Sequence, residues 1–338
     1  MNKQKITISH GGGGRHTRDL IQNHFAKAFS NPFLEQMDDS AILEMGTGGG
    51  RFAFTTDSYV VKPVFFPGGN IGELAVFGTV NDLAVSGAKP LFLSAGFIIE
   101  EGFLIEDLDR IIDSMKKAAE KAGVLIVTGD TKVVEKGGAD GVFINTSGVG
   151  AFPENRMEPE EVKQGDKIIV NGTMGDHGIA VMIARNEIKL QSRLESDTAP
   201  LNLLIMPLLE KFPGKIKFMR DITRGGLAMV LNEFCENRSY GVRILEKNIP
   251  INENVGAICE ILGLDPLYTA NEGKVMLVVD GDSAEAILNI MKTLPYGDNS
   301  AIIGELTQTG NSRVILKTKI GTGRIIDMPS GEQLPRIC

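Results

Sequence analysis

Acids at the ends of apolar runs are the first candidates for chemistry in this 338-residue chain. Asp38-Asp39 open the short apolar stretch Ala41-Ile42-Leu43, and Asp57 closes the run Arg51-Phe52-Ala53-Phe54-Thr55-Thr56. Asp130 follows Val124-Leu125-Ile126-Val127 within Gly129-Asp130-Thr131, and Lys132 lies two residues on. Neighbouring strand ends can bring carboxylates together. Asn81-Asp82 fall inside a helix-like pattern from Ile71 to Ser86. Both are poor helix formers, and a local rule broken inside an element is where function is expected. Oxygen-rich acid clusters of this kind suit Mg²⁺, which takes few protein carboxylates, several waters and nucleotide phosphates. A thiol on the last residue, Cys338, is either a chance terminal group or a tethered handle that carries a substrate group into a site.

Other chemistries lack their motifs. No G-x-x-x-x-G-K-[ST] loop is present, and no G-x-G-x-x-G follows a strand. His10, His16, His24 and His177 form no ligand pattern, no Cys/His spacing reads as structural zinc, and no G-x-S-x-G supports a serine nucleophile. The residues therefore read as a Mg-nucleotide enzyme without a Walker loop.

The length fits two domains. A net charge of -8 offers no basic stripe for a phosphate backbone, so no nucleic-acid partner is expected. No apolar run is long enough for a bilayer and the first residues lack a signal-peptide core. Three widely spaced cysteines make no disulfide framework; Cys235 and Cys259 read as buried thiols, and a cytoplasmic setting is expected.

The positioning elements mix strands and helices throughout, which predicts an α+β (mixed α/β) fold of two domains. Residues 1–35 read as a glycine-rich segment, His10 to Gly14, and a helix from Arg15 to Phe29. Residues 36–152 form the domain that carries the acids, and polar residues 153–164 separate it from a second α/β domain at 165–318. There Asp221-Ile222-Thr223-Arg224-Gly225-Gly226 opens a helix, with Thr223 as its expected cap and loop amides able to hold an anion. Residues 319–338 have weak periodicity and read as a mobile tail that could reach on the order of 20–25 Å as a coil.

Asp38-Asp39-Ser40-Ala41, Thr55-Thr56-Asp57-Ser58, Asn81-Asp82-Leu83-Ala84, Gly129-Asp130-Thr131 and the Asp221–Gly226 segment, in that order, resemble the signature of the aminoimidazole ribonucleotide synthetase superfamily of ATP-dependent enzymes. Within it, Ser9-His10-Gly11-Gly12-Gly13-Gly14 and the terminal Pro335-Arg336-Ile337-Cys338 resemble the carbamoyl dehydratases of hydrogenase maturation. The resemblance covers essentially the whole chain. It implies a homodimer, paired through the first domain, that binds ATP between subunits. Asp39, Asp57, Asp82 and Asp130 would hold Mg²⁺ and phosphates, with Asn81, Gly129 and Thr131 beside the nucleotide. It implies that a partner carbamoyltransferase loads Cys338, that the carbamoyl group is dehydrated to a thiocyanate at the expense of ATP, and that cyanide then passes to iron on a hydrogenase maturation scaffold complex. Lys132 is the expected phosphate-neutralising cation and Glu272 the expected base. The alternatives are another enzyme of the superfamily, such as a selenophosphate synthetase or small-molecule kinase, and a non-catalytic assembly scaffold. The first cysteine is Cys235, so the reactive cysteine that a selenophosphate synthetase has near its glycine loop is missing.

Overall fold

A computed structural model describes residues 5–12, 14–44, 50–153, 158–185, 193–236, 238–308, 312–329, 334 and 336–338. Gly13 and Pro335, parts of the two terminal motifs, lie outside the described residues.

The N-terminal helix α1 (Arg15–Leu20) runs on into a π-helical turn, Ile21–Ala26. The first domain is built on a mixed sheet of β1 (Ala41–Glu44), β2 (Arg51–Tyr59), β5 (Lys89–Glu100), β6 (Leu125–Val134) and β7 (Val142–Ala151), after a two-residue ribbon of β3 (Phe65–Phe66) and β4 (Gly69–Asn70) is set aside. The order is β1-β2-β7-β5-β6. Helix α2 (Ile71–Val85) packs on this sheet, and α3 (Ile105–Ala122) carries the chain from β5 to its parallel neighbour β6. The α3 sequence explains itself. Ile111, Met115, Ala118, Ala119 and Ala122 recur on one face and are buried, acids open it, Lys121 closes it, and Gly123 takes the left-handed conformation (φ +72°) that ends it.

Helix α2 is different. It is enclosed on nearly every side, and only Glu73 and Asp82 keep partial exposure. It stands between the first sheet and the second domain, where Ala84 and Val85 join the core formed by α5 (Asn202–Lys211), which follows α4 (Asp176–Ala184), and by Ile287 and Met291. The second domain has a seven-stranded sheet whose members are β8 (Lys167–Val170), β9 (Ile216–Asp221), β10 (Gly241–Leu245), β11 (Val275–Val279), β12 (Ala301–Thr307), β13 (Val314–Lys317) and β14 (Gly323–Ile326). Its helices are α4, α5, α6 (Gly226–Cys235), α7 (Glu253–Leu262) and α8 (Ala284–Met291). Strand β11 is wholly apolar because it lies mid-sheet between β8 and β9, covered on both faces. The expected mixed α/β fold is what forms. Cys235 and Cys259 are buried with no disulfide, and among the described residues no helix is long and apolar enough to cross a membrane.

Candidate active site

Three carboxyls meet where the two domains face each other. Asp39 precedes β1, Asp82 breaks the apolar surface of α2, and Asp221 ends β9; one oxygen from each lies within 4.8 Å of the others. Thr55 Oγ1 sits 2.9 Å from Asp82 Oδ2 and 2.8 Å from the Asp39 carbonyl oxygen, and Ser40 Oγ donates to the Asp82 carbonyl (3.2 Å). Arg220 Nη1 pairs with Asp39 at 3.0 Å and reaches Glu233 at 3.6 Å. This one guanidinium does not balance the acids. Burial pushes the Asp39 carboxyl up to about 6, against the pull of Arg220. Burial together with the neighbouring Asp39 pushes Asp221 up to about 8. Asp82 is driven well above the carboxylate range by burial and then by Asp221, Asp39 and Asp57. Asp57, on β2, is raised by burial and restrained by Arg224. Acids crowded in this way fit a hard divalent cation, which can span such a spacing directly or through water and restore their ionised form.

The segment after Asp221 is rich in glycine. Gly225 (φ +76°) and Gly226 (φ +63°) turn the chain into α6, and a Cβ on Gly226 would meet the Leu267 carbonyl oxygen at 2.5 Å. Thr223 does not cap this helix, contrary to the sequence reading. Gly225 occupies the cap, and the Thr223 carbonyl accepts from Gly226 N in a backbone turn (3.0 Å). Arg224 Nη1 donates to the Gly11 carbonyl, which brings the N-terminal glycine segment against the same loop.

Glu272 lies just ahead of β11 with only 4% of its surface exposed. Its Oε1 has no hydrogen-bond partner among the described residues. Burial, then the charges of Asp197, Asp221 and Asp57, hold this carboxyl well above its usual range. Its backbone is fixed by Asp197 Oδ1, which accepts from Glu272 N at 3.0 Å, and Lys274 holds the other oxygen of Asp197 at 2.8 Å.

The remaining expected site residues fall elsewhere. Asn81 is committed to the second domain: its Nδ2 donates to the Ala199 carbonyl (3.0 Å) and its Oδ1 accepts from Leu201 N (2.7 Å). Asp130 does not join the acids of its own chain. It pairs with Gly96, Gly96 with Asn145 and Asn145 with Ser58. That puts it three strand spacings, about 14 Å, from the backbone beside Asp57. Asp130 and Lys132 bind each other at 2.6 Å on β6, with side chains 69% and 68% exposed. Gly129 and Thr131 share that outer strand. Sheet order thus keeps Asp130 away from Asp39 and Asp82 within one chain, and Asp221 is the acid that lies with those two.

The chain end is docked. The Cys338 carbonyl accepts from Val60 N (3.1 Å), the Arg336 carbonyl accepts from Lys62 N (3.2 Å), and Ile337 is 2% exposed within the first domain's core. Arg336 donates from Nε to the Val60 carbonyl (3.0 Å) and pairs with Asp140, which also holds Lys62 (2.7 Å). From the second domain, Arg185 Nη2 donates to the Arg336 carbonyl and His177 Nε2 to the Ile337 carbonyl, each at 2.7 Å. Val60 is the residue after β2 and lies three positions beyond Asp57, so the Cys338 backbone docks just past the end of the strand that carries Asp57.

Sequence reasoning named Asp221 only within its motif, counted His177 only among histidines that form no ligand pattern, and gave Arg220 and Arg185 no role. The position of Asp221 after a strand and before two glycines was a usable signal. His177 carried none, since its partner lies 160 residues away.

Comparison with known proteins gives the family. The family model for the AIR synthase related protein N-terminal domain matches residues 37–152, and that for the C-terminal domain matches 163–317. The chain is 48% identical to carbamoyl dehydratase HypE of Bradyrhizobium diazoefficiens, over 98% of this chain and 96% of that protein. It is 44% identical to the Escherichia coli carbamoyl dehydratase HypE, over 98% and 99%. Among solved structures, a HypE–HypF complex superposes with a TM-score of 0.85 at 50% identity, covering 92% of this chain and 99% of that one. HypE in complex with ATP superposes with a TM-score of 0.81 at 42% identity, covering 99% and 100%. The chain belongs to the carbamoyl dehydratase HypE family of AIR synthase related proteins. A thiamine monophosphate kinase at 16% identity (TM-score 0.65) shares the fold alone.

Proposed function

We propose that this chain dehydrates an S-carbamoyl group on Cys338 to a thiocyanate, using ATP, and so supplies cyanide for the iron of a nickel–iron hydrogenase. One observation carries the reading: the last residue is docked by its backbone just past the end of the strand that bears Asp57, and the buried Glu272 is among the groups around Asp57. A Mg²⁺ held by Asp39, Asp82 and Asp221, with Asp57 at its side, would neutralise and orient the triphosphate. The carbamoyl oxygen attacks the γ-phosphorus and ADP leaves, which turns a poor leaving group into a good one. Glu272 takes an N–H proton, and burial makes it a strong base once ionised. The second N–H proton leaves on the expelled phosphate as the C–O bond breaks, and the C≡N bond is complete. The sum is carbamoyl thioester plus ATP giving thiocyanate, ADP and phosphate.

The tail, residues 319–338, leaves this seat so that a carbamoyltransferase can load Cys338 and a maturation scaffold can receive the cyanide; the solved HypE–HypF complex supports a partner of the first kind. A homodimer formed through the first domain would bring Asp130, Gly129, Thr131 and Lys132 to the other protomer's nucleotide. In support, β6 is a sheet edge with Leu125 64%, Val127 59% and Val133 69% exposed. Buried, unbridged Cys235 and Cys259 support a reducing, cytoplasmic setting.

Mass spectrometry of the C-terminal peptide tests the reaction. After carbamoylation, Mg-ATP should remove the mass of one water from the Cys338 adduct. A Cys338→Ala chain should bind ATP and yield no product. ATP hydrolysis with an unchanged peptide would sink the dehydratase reading, and lost ATP binding in Cys338→Ala would mean that the tail is structural.

A further inference from the structure

His177 is a buried imidazole that the reaction above does not use. It is the second residue of α4, fully enclosed, with the Phe66 ring edge-on at 5.4 Å. Its Nε2 lies 2.7 Å from the Ile337 carbonyl and its Nδ1 lies 2.7 Å from Ser196 Oγ. A carbonyl oxygen only accepts, so Nε2 carries the proton and Nδ1 faces a hydroxyl that can donate to it. Ser196 is itself fixed: its N–H donates to the Pro67 carbonyl (2.8 Å), and its hydroxyl lies 2.6 Å from Thr198 Oγ1. The next residue, Asp197, holds the backbone of Glu272. A continuous chain of hydrogen bonds and covalent links therefore joins the tail's last peptide to the segment that carries the base.

We propose that His177 is a positioning residue that latches the last peptide of the tail through Nε2–H and sets Cys338 in register with Glu272. Arg185 supports it by holding the preceding carbonyl while its Nε holds Lys62 O, at 2.8 Å. The grip falls on backbone carbonyls, so it is indifferent to what the Cys338 sulfur carries. A bare, carbamoylated or cyanated tail would dock in one register. Orientation of this kind is what turns a tethered group into a reacting one. The proposal rests on the reading that Cys338 works inside this site, and its test runs without carbamoylation or ATP.

The test is the alkylation rate of Cys338 in the full-length chain, read by mass spectrometry of the terminal peptide. His177→Phe keeps a ring against Phe66 and removes the donor, and should speed alkylation about tenfold, the weight of one hydrogen bond to a buried acceptor. His177→Gln places an amide N–H near the Nε2 position and should restore most of the protection, whereas a role in packing alone would favour Phe over Gln. Equal rates in the parent and His177→Phe, or Gln no better than Phe, overturn the proposal. A second measurement needs no substitution in the core: removing residues 337–338 should shift the His177 ring ¹⁵N signals, and unchanged signals overturn it too. If the protection pattern holds while dehydration fails, the reaction assigned to the site falls and the latch stands.

Discussion

Burial acts on Glu272 and Asp221 in the same direction, with different consequences. Glu272 has an oxygen with no partner among the described residues, so a proton is its only local compensation until substrate arrives. Asp221 has other acids for neighbours, so a cation can replace its proton. This makes the metal-free protein sensitive to pH in a definite sense. Asp221 rises from 3.8 to about 8 on folding, so the folded chain holds that proton more tightly than the unfolded one. The stability tied to it is complete below about pH 4 and is lost as pH climbs through about 8. Urea denaturation without divalent cations should therefore show stability falling across that window. Asp221→Asn should flatten the fall, and Mg²⁺ should oppose it by restoring the ionised cluster. A parent profile that rises from pH 4 to pH 8 would show that the acids are not crowded as described. At this scale the sequence was informative where an acid followed a strand, and silent for His177 and Arg185, whose meaning exists only once the tail has docked between the two domains.

Helix α2 and strand β6 show what a pattern can and cannot convey. The Asn81-Asp82 break in α2 was visible as a polar pair in an apolar helix, and it divides into two roles by one step of rotation around the axis. Asp82 keeps an opening to the acids, while Asn81 is sealed against Ala199 and Leu201. Its amide satisfies a backbone acceptor and a backbone donor in the segment that also anchors Glu272 through Ala199 N (3.4 Å). Asn81→Ala should thus cost about 1–3 kcal/mol, because both backbone groups are left buried and unpaired. Denaturant unfolding measures the loss, and a change below a few tenths would place the segment's support elsewhere. The strands were legible from their apolar runs, but the acids do not close them: β2 runs past Asp57 to Tyr59 and β6 past Asp130 to Val134. The order of the strands across the sheet was not legible, because β7, the last strand of the domain in sequence, pairs between β2 and β5 and pushes β6 to the edge. That insertion separates Asp57 from Asp130, and no local pattern encodes it. Weak periodicity reads as coil across residues 319–338, yet β14 pairs with β13, Ile326 and Ile337 are buried, and the last carbonyls are clamped.

At the level of the whole molecule, the acids divide into a set that one chain assembles and a set that it displays. Asp39, Asp57, Asp82, Asp221 and Glu272 converge between the domains of a single protomer. Asp130 and Lys132 stand on an edge strand whose exposed apolar side chains need a cover. If a second copy supplies that cover, each nucleotide site takes its acid cluster and base from one protomer and Asp130 from the other. The consequence is testable by mixing, which separates this arrangement from one in which Asp130 serves only its own chain. Asp130→Ala and Glu272→Gln chains should each be inactive alone. A mixed dimer would have one intact site, because the Asp130→Ala chain keeps Glu272 and borrows Asp130 from its partner. Equal mixing should return about a quarter of the parent rate, since half of the dimers would be mixed and each would have one working site of its two. Single-turnover loss of water from carbamoylated Cys338 is the measurement. No recovery, with mixed dimers shown to form, would mean that the outer strand serves its own protomer or no site at all.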